Sequence, residues 1–457
     1  MNSNYDIIVV GAGTAGTYFA KRMASEGYSV LVIDKTIQQD LGNRLNVFHI
    51  DEELFSRFDV PKPQPGDEEY VTLFKYGLAR SPFNRYDKRT DYPFLVMKLP
   101  AFLKRLTSWA TSFGVEYSFE TEFVDFIYAN GKICGVKINK NGVRLEIMCR
   151  LVADCSGIPS VARRKLPLNY GVENFEISSR DKFYVVLRYV TLTNPEKDKI
   201  NTSIGFPYYK TWMAPSLEAN GAIFGVGANL SYEFAEKCYQ QFEKDIKLPS
   251  HTLDHIEKGS TPYRRPPYSF VADGFITLGD SACITKPFSG EGITAAWVLC
   301  DIAAKAITPV MANNKYPTRE AMWRINVEYN RTQGADFAEL MTTLIGAVDC
   351  TREEMDYEFK KSIVFEEAIM TRMNRKFANV MTIGEMFSIV FRVLGGLFSR
   401  NIRFKTVMDL IKAILDAGKL KKLYRKFPEN PQQFSEWTKK VDHMWKKVGT
   451  MADKCKI

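Results

Sequence analysis

The chain has 457 residues, of which 45% are hydrophobic and 25% charged. This composition fits a globular protein of two or three domains and excludes a wholly disordered chain. Lys and Arg outnumber Asp and Glu by 62 to 53, and residues 401–457 alone hold 14 basic and 6 acidic side chains. Positive charge concentrated at one end disfavours a nucleic-acid-binding face and favours contact with anionic lipid or an acidic partner.

The cysteines and histidines predict no metal site. No two of the eight cysteines form a CxxC pair, and the four histidines are scattered, whereas zinc and iron–sulfur sites need several ligands at short spacings. The first residues lack a basic segment followed by an apolar core, and no run of 18 uncharged apolar residues occurs. We therefore expect a cytoplasmic protein with no signal peptide and no membrane-spanning helix.

The first 35 residues predict a dinucleotide-binding unit. A buried strand at 6–10 is followed by a glycine turn at 11–16, a helix from 17 and a second strand at 30–33 that ends in an acid. An isolated GxGxxG motif is weak, but here both strands, the helix and the acid are in their required places.

Each residue of this unit has a physical reason. Gly11 permits the tight turn, Gly13 lets the backbone approach a pyrophosphate, and Gly16 lets the helix pack on the strand. The helix N-terminus offers free N–H groups to the phosphates. Asp34 is suited to accept hydrogen bonds from the adenosine ribose.

A second motif distinguishes between the dinucleotides. An apolar segment at 271–278 runs into Gly279-Asp280, and a glycine-flanked turn then opens a predicted helix at 293–300. This resembles the Gly-Asp motif of FAD-dependent oxidoreductases related to the aromatic hydroxylases. The resemblance implies FAD, with Asp280 on the ribitol chain and the helix N-terminus facing the flavin pyrimidine. The further residues predicted to bind FAD are Ala15, Lys35, Arg44, Pro287, Gly290, Gly292 and Ile293.

Two more positions are implied by the same resemblance. Asp154, in Leu-Val-Ala-Asp-Cys-Ser-Gly, matches the mid-chain Asp-Gly motif of that superfamily. Arg105 lies on a predicted helix at 99–113 and is either a flavin contact or a solvated helix charge. Because no second complete GxGxxG unit appears, we expect FAD alone, reduced by an external donor: ferredoxin, or NAD(P)H bound without its own Rossmann unit.

The segment at 205–215 resembles the geranylgeranyl reductase family, flavoproteins that saturate isoprenoid double bonds. Pro207, Trp212 and Pro215 match the family pattern Pro-x-x-Tyr-x-Trp-x-Phe-Pro, while Lys210 replaces its tyrosine and Ala214 its phenylalanine. The Gly-Asp segment and the tail at 421–431 also match. A Pro-Cys-Gly motif of archaeal members is absent, and Asn46 stands where its cysteine would be.

The predicted fold is α/β: a Rossmann-type FAD-binding domain, an interleaved antiparallel-sheet substrate domain and a C-terminal helical domain. The predicted boundaries are 1–170 for the first FAD-binding part (with substrate-domain strands at about 65–100), 171–265 for the catalytic sheet, 266–312 for the second FAD-binding part and 313–457 for the helices.

The resemblance implies reduction of carbon–carbon double bonds in an isoprenoid or other apolar substrate, by hydride from reduced flavin. We predict that Tyr208, Tyr209, Lys210 and Trp212 line the substrate slot, together with Asn46. For the aromatic residues core packing is the alternative, and for Lys210 a solvated surface. The alternative functions are a flavin monooxygenase or halogenase acting on an aromatic substrate, and a flavin module that senses redox state or carries electrons.

A short apolar segment at 387–398 is too short to span a bilayer. A buried core helix is favoured; the alternatives are the lining of a lipid tunnel and peripheral contact with a membrane.

Overall fold

The computed structural model describes residues 2–455 except 44, 92, 196–201, 217, 219, 364–365 and 370–381. Over these residues the strands, in chain order, are β1 (Asn4–Val10), β2 (Val30–Ile33), β3 (Val47–Asp51), β4 (Tyr70–Phe74), β5 (Gly77–Arg80), β6 (Asp87–Thr90), β7 (Phe94–Lys98), β8 (Glu116–Ser118), β9 (Thr121–Ala129), β10 (Lys132–Lys140), β11 (Val143–Asp154), β12 (Lys182–Leu192), β13 (Thr202–Gly205), β14 (Tyr209–Pro215), β15 (Gly221–Asn229), β16 (His251–Pro262), β17 (Val271–Ala272) and β18 (Phe275–Thr277). The helices are α1 (Thr14–Ser25), α2 (Glu52–Arg57), α3 (Leu99–Thr111), α4 (Tyr232–Asp245), α5 (Ile293–Met311), α6 (Trp323–Tyr329), α7 (Ala335–Ala347), α8 (Arg352–Lys360), α9 (Ile383–Phe398), α10 (Phe404–Arg425) and α11 (Phe434–Val448).

The first sheet is a Rossmann-type sheet in the order β17-β18-β11-β1-β2-β8, and β9 and β10 extend it from β11 as an antiparallel meander. The strands β8, β2, β1, β11 and β18 run parallel. Both faces are covered, which explains the continuous apolar runs of β1 and β2. On one face α1 and α5 meet through stacked Tyr18 and Trp297, whose ring centroids lie 5.0 Å apart.

The second sheet has seven strands in the order β16-β12-β15-β14-β13-β5-β6. Its strands from 182–262 are antiparallel neighbours, while β13 pairs in parallel with β5 from much earlier in the chain. Helix α4 covers one face with Phe234, Tyr239 and Phe242. A small sheet of β3, β7 and β4 connects this part to the Rossmann unit.

Helices form the C-terminal part. Helices α6 and α7 are joined by a π-helical turn at Asn330–Gly334. Helix α7 packs on α10 at Gly346, where a Cβ would lie 2.4 Å from that of Ala413. The predicted α/β class, with Rossmann, antiparallel-sheet and helical parts, is confirmed.

Two apolar helices have different environments. The segment 293–314 is long and apolar enough to cross a membrane, but Trp297 and Cys300 are fully buried beside α1, so α5 is a core helix. Helix α9 contains the apolar segment 387–398. There the favoured buried helix is wrong, because Phe387 is 63% exposed and Phe398 is 85% exposed.

Candidate active site

The glycine turn after β1 has the shape that a dinucleotide phosphate needs. Gly11 adopts a φ of 109°, and a Cβ there would lie 2.4 Å from the carbonyl oxygen of Cys155. A Cβ on Gly16 would lie 2.0 Å from the Gly11 oxygen, so α1 packs against the turn as only glycine allows. By contrast, no atom lies within 4 Å of a Cβ placed on Gly13. This open space at the N-terminus of α1 suits a pyrophosphate.

Asp34 is fixed at the end of β2, beside the glycine turn. Its Oδ2 accepts a hydrogen bond from the Ala12 N–H at 2.8 Å, and its Oδ1 accepts from the amide and hydroxyl of Thr36 at 2.9 and 2.7 Å. With a single bond to Oδ2, the half-buried carboxylate has capacity to accept a ribose hydroxyl. The adjacent Lys35 is exposed.

The structure places the two glycine motifs side by side although they are some 265 positions apart. A Cβ on Gly279 would lie 2.9 Å from that of Ala15, in the first turn of α1. The indole Nε1 of Trp297, in α5, donates to the carbonyl oxygen of Thr14 at 3.1 Å. Both helix N-termini therefore open onto the same region, as one FAD bound across them requires.

Asp280 carries a carboxylate that is suited to bind a ligand. Its half-buried carboxylate has no hydrogen-bond or ion-pair partner in the described part of the chain, and burial raises its pKa to about 6. Its Oδ1 would be 3.3 Å from a Cβ on Gly292, the residue before α5. An unpaired carboxylate beside a helix N-terminus and a small-residue turn fits hydroxyl donors such as those of a ribitol chain.

The rest of the Gly-Asp loop completes this cradle. Pro287 is buried, whereas Gly290, Gly292 and Ile293 are partly open to solvent. Gly290 has a φ of 81° and open space where a Cβ would stand. The residues present therefore fit FAD: Gly13 and Asp34 at the adenylate half, Asp280 and the start of α5 at the flavin half.

Asp154 holds part of this cradle in place through hydrogen bonds. It is fully buried, and its Oδ1 accepts from Ser156 and from Ser281 Oγ at 3.1 Å, while its Oδ2 accepts from the Arg163 N–H at 2.6 Å. The Arg163 side chain in turn donates to the Ser281 carbonyl at 2.8 Å. With its oxygens occupied and no exposed surface, Asp154 positions the loop that follows Asp280, and the structure gives it no face toward a cofactor.

Of the two arginines predicted to bind FAD, the structure describes one. Arg105 forms an ion pair with the buried Glu69 and donates to the Pro61 carbonyl at 2.6 Å, so it ties α3 to β4. The ion pair shows that Arg105 is not a solvated charge, and its contact with the flavin stays a prediction. Arg44 lies outside the described residues.

Trp212 and Lys210 lie on the same face of β14, and this face is opposite α4. The Trp212 indole packs with Leu187 and Ile223 of the neighbouring strands. A Cβ on Gly225, its partner across the strand pair, would lie 2.1 Å from the indole, so glycine at 225 makes room for the ring. The result is a flat apolar wall on the side of the sheet that packs against Leu45 and Val47, at the start of β3.

Tyr209 is not brought together with Lys210 and Trp212. It stacks on Phe206, with centroids 4.4 Å apart, and packs in the core beneath α4. Successive side chains of a strand point to opposite faces, so Tyr209 cannot share the face of Lys210. Tyr208 donates to Asp349 Oδ1 at 3.0 Å, toward the C-terminal helices.

Asn46 is held through its backbone. Its N–H donates to Glu257 Oε2 at 2.9 Å, and its carbonyl oxygen accepts from the Leu99 N–H at 2.8 Å. The same Glu257 oxygen accepts from the Tyr189 hydroxyl at 2.8 Å. Glu257 and Tyr189, which the sequence did not single out, thus anchor the segment that packs beside Trp212.

A cluster of charged groups surrounds the turn before α5. Glu291 lies 3.5 Å from Lys286 Nζ and 3.4 Å from His49 Nε2. Burial works against ionisation of Glu291, but these two cations hold its pKa below the usual range. The imidazole of His49 is 44% exposed; partial desolvation opposes its charge, but the hydrogen bond and charge of Glu291 raise its pKa. Burial and the charge of Glu291 raise the pKa of Asp51.

Lys210 joins this cluster from the sheet. Its Nζ lies 4.6 Å from the centre of the Phe288 ring, in the turn between Pro287 and Gly290. Burial lowers the pKa of Lys210 to about 8; the charge of Glu291 opposes the effect and that of Lys286 adds to it. The sheet face and the Gly-Asp loop therefore meet at Lys210. Glu291 is not among the residues predicted from the sequence, and its contact with His49 spans 242 positions.

Comparisons with known proteins agree with this geometry. A model of the NAD(P)-binding Rossmann-like domain matches residues 9–61. A geranylgeranyl bacteriochlorophyll reductase-like protein from Thermoplasma acidophilum aligns over 90% of this chain and 100% of its own, with a TM-score of 0.70 and 18% identity. The flavin-dependent brominase Bmp2 covers 87% and 99%, with a TM-score of 0.63 and 16% identity. The chain shares the fold of these proteins, and the residues of its cradle fit FAD.

Two sequence relatives of this chain are both named as digeranylgeranylglycerophospholipid reductases. The digeranylgeranylglycerophospholipid reductase of Sulfolobus acidocaldarius is 23% identical over 460 residues, covering 96% of this chain and 97% of its own. That of Haloferax volcanii is 27% identical over 341 residues, covering 70% and 79%. The resemblance predicted from the motifs is confirmed: the chain is similar to digeranylgeranylglycerophospholipid reductases over nearly its whole length.

Proposed function

We propose that this chain is an FAD-dependent reductase that saturates carbon–carbon double bonds of an isoprenoid or similarly apolar, lipid-like substrate. The observation that carries the proposal is the meeting of the apolar wall around Trp212 with the Gly-Asp loop, marked by Lys210 above Phe288. The names of the sequence relatives, reductases of digeranylgeranyl lipids, support an isoprenoid substrate.

Saturating an alkene needs a hydride on one carbon and a proton on the other. FAD, once bound and reduced by an external donor such as ferredoxin or NAD(P)H, supplies the hydride. The chain's own contribution is an apolar slot that orients the alkene and excludes water. Trp212, Leu187 and Ile223 supply its wall. A small cavity of about 20 Å³, lined by Pro287, Phe337 and Met341 among others, lies against the Gly-Asp loop.

Lys210 is the proposed proton source or anion anchor. With a pKa lowered to about 8, its ammonium is mostly protonated at neutral pH and is a stronger acid than an ordinary lysine. The same ammonium could instead hold an anionic head group of the substrate.

Anaerobic turnover tests the proposal. The FAD-loaded protein is reduced with dithionite and given polyprenyl substrates of several chain lengths, and products are analysed by mass spectrometry. We expect a gain of two hydrogens per reduced bond. If no substrate of any chain length gains hydrogen, the proposed reductase activity is refuted.

Two variants separate the roles of Lys210. Lys210→Met should lower kcat if the ammonium donates the proton. Lys210→Arg keeps the positive charge but is a very weak acid, so it should restore substrate binding without restoring kcat. If Arg restores both, Lys210 acts as an anion anchor.

A monooxygenase or halogenase is the second candidate, because the brominase Bmp2 shares the fold and Trp212 and Pro215 match two positions of the Trp-x-Trp-x-Ile-Pro halogenase pattern. Oxygen uptake by the reduced protein separates the two. Substrate-stimulated peroxide, or a hydroxylated or halogenated product, would favour the second candidate. Anaerobic, substrate-dependent reoxidation would favour the reductase and exclude a module that only carries electrons.

A further inference from the structure

Helix α9 presents an apolar face to solvent. Phe387, Phe391, Leu394 and Phe398 follow each other at spacings of four, three and four residues, and their exposures are 63%, 72%, 39% and 85%. The opposite face is the packed one: a Cβ on Gly396 would lie 2.7 Å from Ile402. The helix is therefore amphipathic, but its apolar side faces solvent, whereas an ordinary surface helix turns that side toward the core.

The charged residues of α9 do not interrupt this apolar face. Glu385 caps the helix start with Thr382. Arg392 is half-buried and donates to the carbonyl oxygens of Lys361 and Ser362 at 3.2 and 2.8 Å. Contiguous apolar surface of this kind marks a binding site on a protein.

Helix α10 continues the same pattern after a short loop. Phe404, Met408, Ile411 and Leu415 are 65%, 46%, 45% and 58% exposed and lie along one side of its first three turns. Its other side is anchored on α7, where Ala413 contacts Gly346. Two consecutive helices thus leave apolar rows uncovered within the described residues.

Positive charge borders the apolar row of α10. Lys412 and Lys419, seven residues apart, lie on one flank of the row, and Lys422, Arg425 and Lys426 follow at the end of the helix. All five are exposed and have no ion-pair partner in the described part of the chain. Asp416 is buried and paired with Lys447. The charge presented beside the apolar face is therefore almost entirely basic.

We propose that the consecutive helices α9 and α10 dock this protein on the surface of an anionic lipid bilayer. The phenylalanines would enter the boundary between head groups and acyl chains, and the row of lysines would meet acidic head groups. Neither helix need span the bilayer. A second copy of this chain would bring the same basic row to the interface and repel it, whereas anionic head groups neutralise the lysines, which is why lipid is favoured.

The proposal deepens the proposed function, since it names a membrane as the source of the apolar substrate. Helix α7, on which α10 packs, also contributes Phe337 and Met341 to the cavity beside the Gly-Asp loop. With α9 and α10 docked, that cavity would lie near the bilayer. Docking itself requires no turnover, so a binding assay can fail while the reductase activity stands, and the reverse.

Vesicle flotation of the full-length protein tests the apolar part. We expect the protein to float with vesicles of phosphatidylcholine mixed with phosphatidylglycerol. The double variant Phe387→Ser with Phe391→Ser should weaken flotation at least about tenfold. Leu168→Ser with Leu253→Ser removes two exposed leucines elsewhere and should leave it unchanged. Circular dichroism and flavin content verify that each variant is folded.

Charge reversal tests the lipid specificity. Lys412→Glu with Lys419→Glu should weaken binding to the anionic vesicles at least about tenfold at low salt, and high salt should weaken the wild type. Lys237→Glu with Lys439→Glu, at exposed lysines of other helices, is the matched control. Absence of flotation, equal binding to pure phosphatidylcholine, or a dimer that the Phe387/Phe391 variant dissociates would each overturn the proposal.

Discussion

Asp280→Asn should stabilise the apoprotein while weakening its hold on FAD. Burial raises the pKa of Asp280 from 3.8 to about 6, which corresponds to roughly 3 kcal/mol against the charged form. Because the side chain is only half-buried and the amide also loses some hydration, we expect a net gain of about 1–2 kcal/mol at pH 7.5.

The stability gained by Asp280→Asn should depend on pH in a defined direction. Between pH 3.8 and about 6 the folded state keeps the Asp280 proton that the unfolded chain has lost, so wild-type stability falls as pH rises through this window and is level above it. The advantage of Asn should therefore be complete above pH 6 and should disappear below about pH 4. FAD affinity should fall about 10- to 100-fold, because a charged acceptor for a ribitol hydroxyl is lost.

Urea unfolding of the apoprotein at several pH values, with FAD titration by fluorescence quenching, measures both effects. Asp34→Asn is the matched control: its carboxylate already accepts hydrogen bonds from Ala12 and Thr36, so that variant should lose about 1–3 kcal/mol. If Asp280→Asn destabilises at pH 7.5, or if its gain does not change with pH, the carboxylate is not held unpaired and the assignment of the ribitol site is wrong.

Further predictions test the glycines and the charged turn. Gly13→Ala should leave apoprotein stability unchanged but abolish retention of yellow FAD, whereas Gly16→Ala should reduce stability, since its Cβ would overlap the Gly11 oxygen; thermal unfolding and flavin absorbance separate them. Gly225→Ala should cost about 1–3 kcal/mol and shift tryptophan emission, because the new Cβ would strike the indole that lies across the strand. Glu291→Gln should lower the pKa of His49, and an unchanged imidazole titration by NMR would contradict the contact.

The cofactor cradle could be predicted from the sequence because its parts are local. A tight turn that needs glycine at 11 and close packing that needs it at 16 leave a readable pattern in six residues. The meeting of that turn with Gly279 was inferred only through the resemblance. The structure supplies its physical basis, since Gly279 packs against Ala15 and Trp297 bonds to Thr14.

The substrate side was harder to predict for a different reason. Strand alternation alone separates Tyr209 from Lys210, and this simple rule could have removed Tyr209 from the slot. No local rule could have assigned Asp154, because an acid that binds a cofactor and an acid that braces a loop look alike until their partners are known. The outward apolar face of α9 was equally hidden, since periodicity gives the angle of a helix face but not whether it is covered.

The exchange of the family tyrosine for Lys210 places a different acid at the meeting point of sheet and loop, and the pH profile should show it. Lys210 has a pKa of about 8, so turnover that depends on its proton should fall as pH rises past that value. A phenol titrates near pH 10, and Lys210→Tyr should therefore move the alkaline limb of kcat upward by about one to two pH units while keeping some activity. Steady-state rates across pH 6–10, with binding measured separately, provide the test. An alkaline limb that stays near pH 8 in the tyrosine variant would show that the proton comes from another group, for which His49 beside Glu291 is the next candidate.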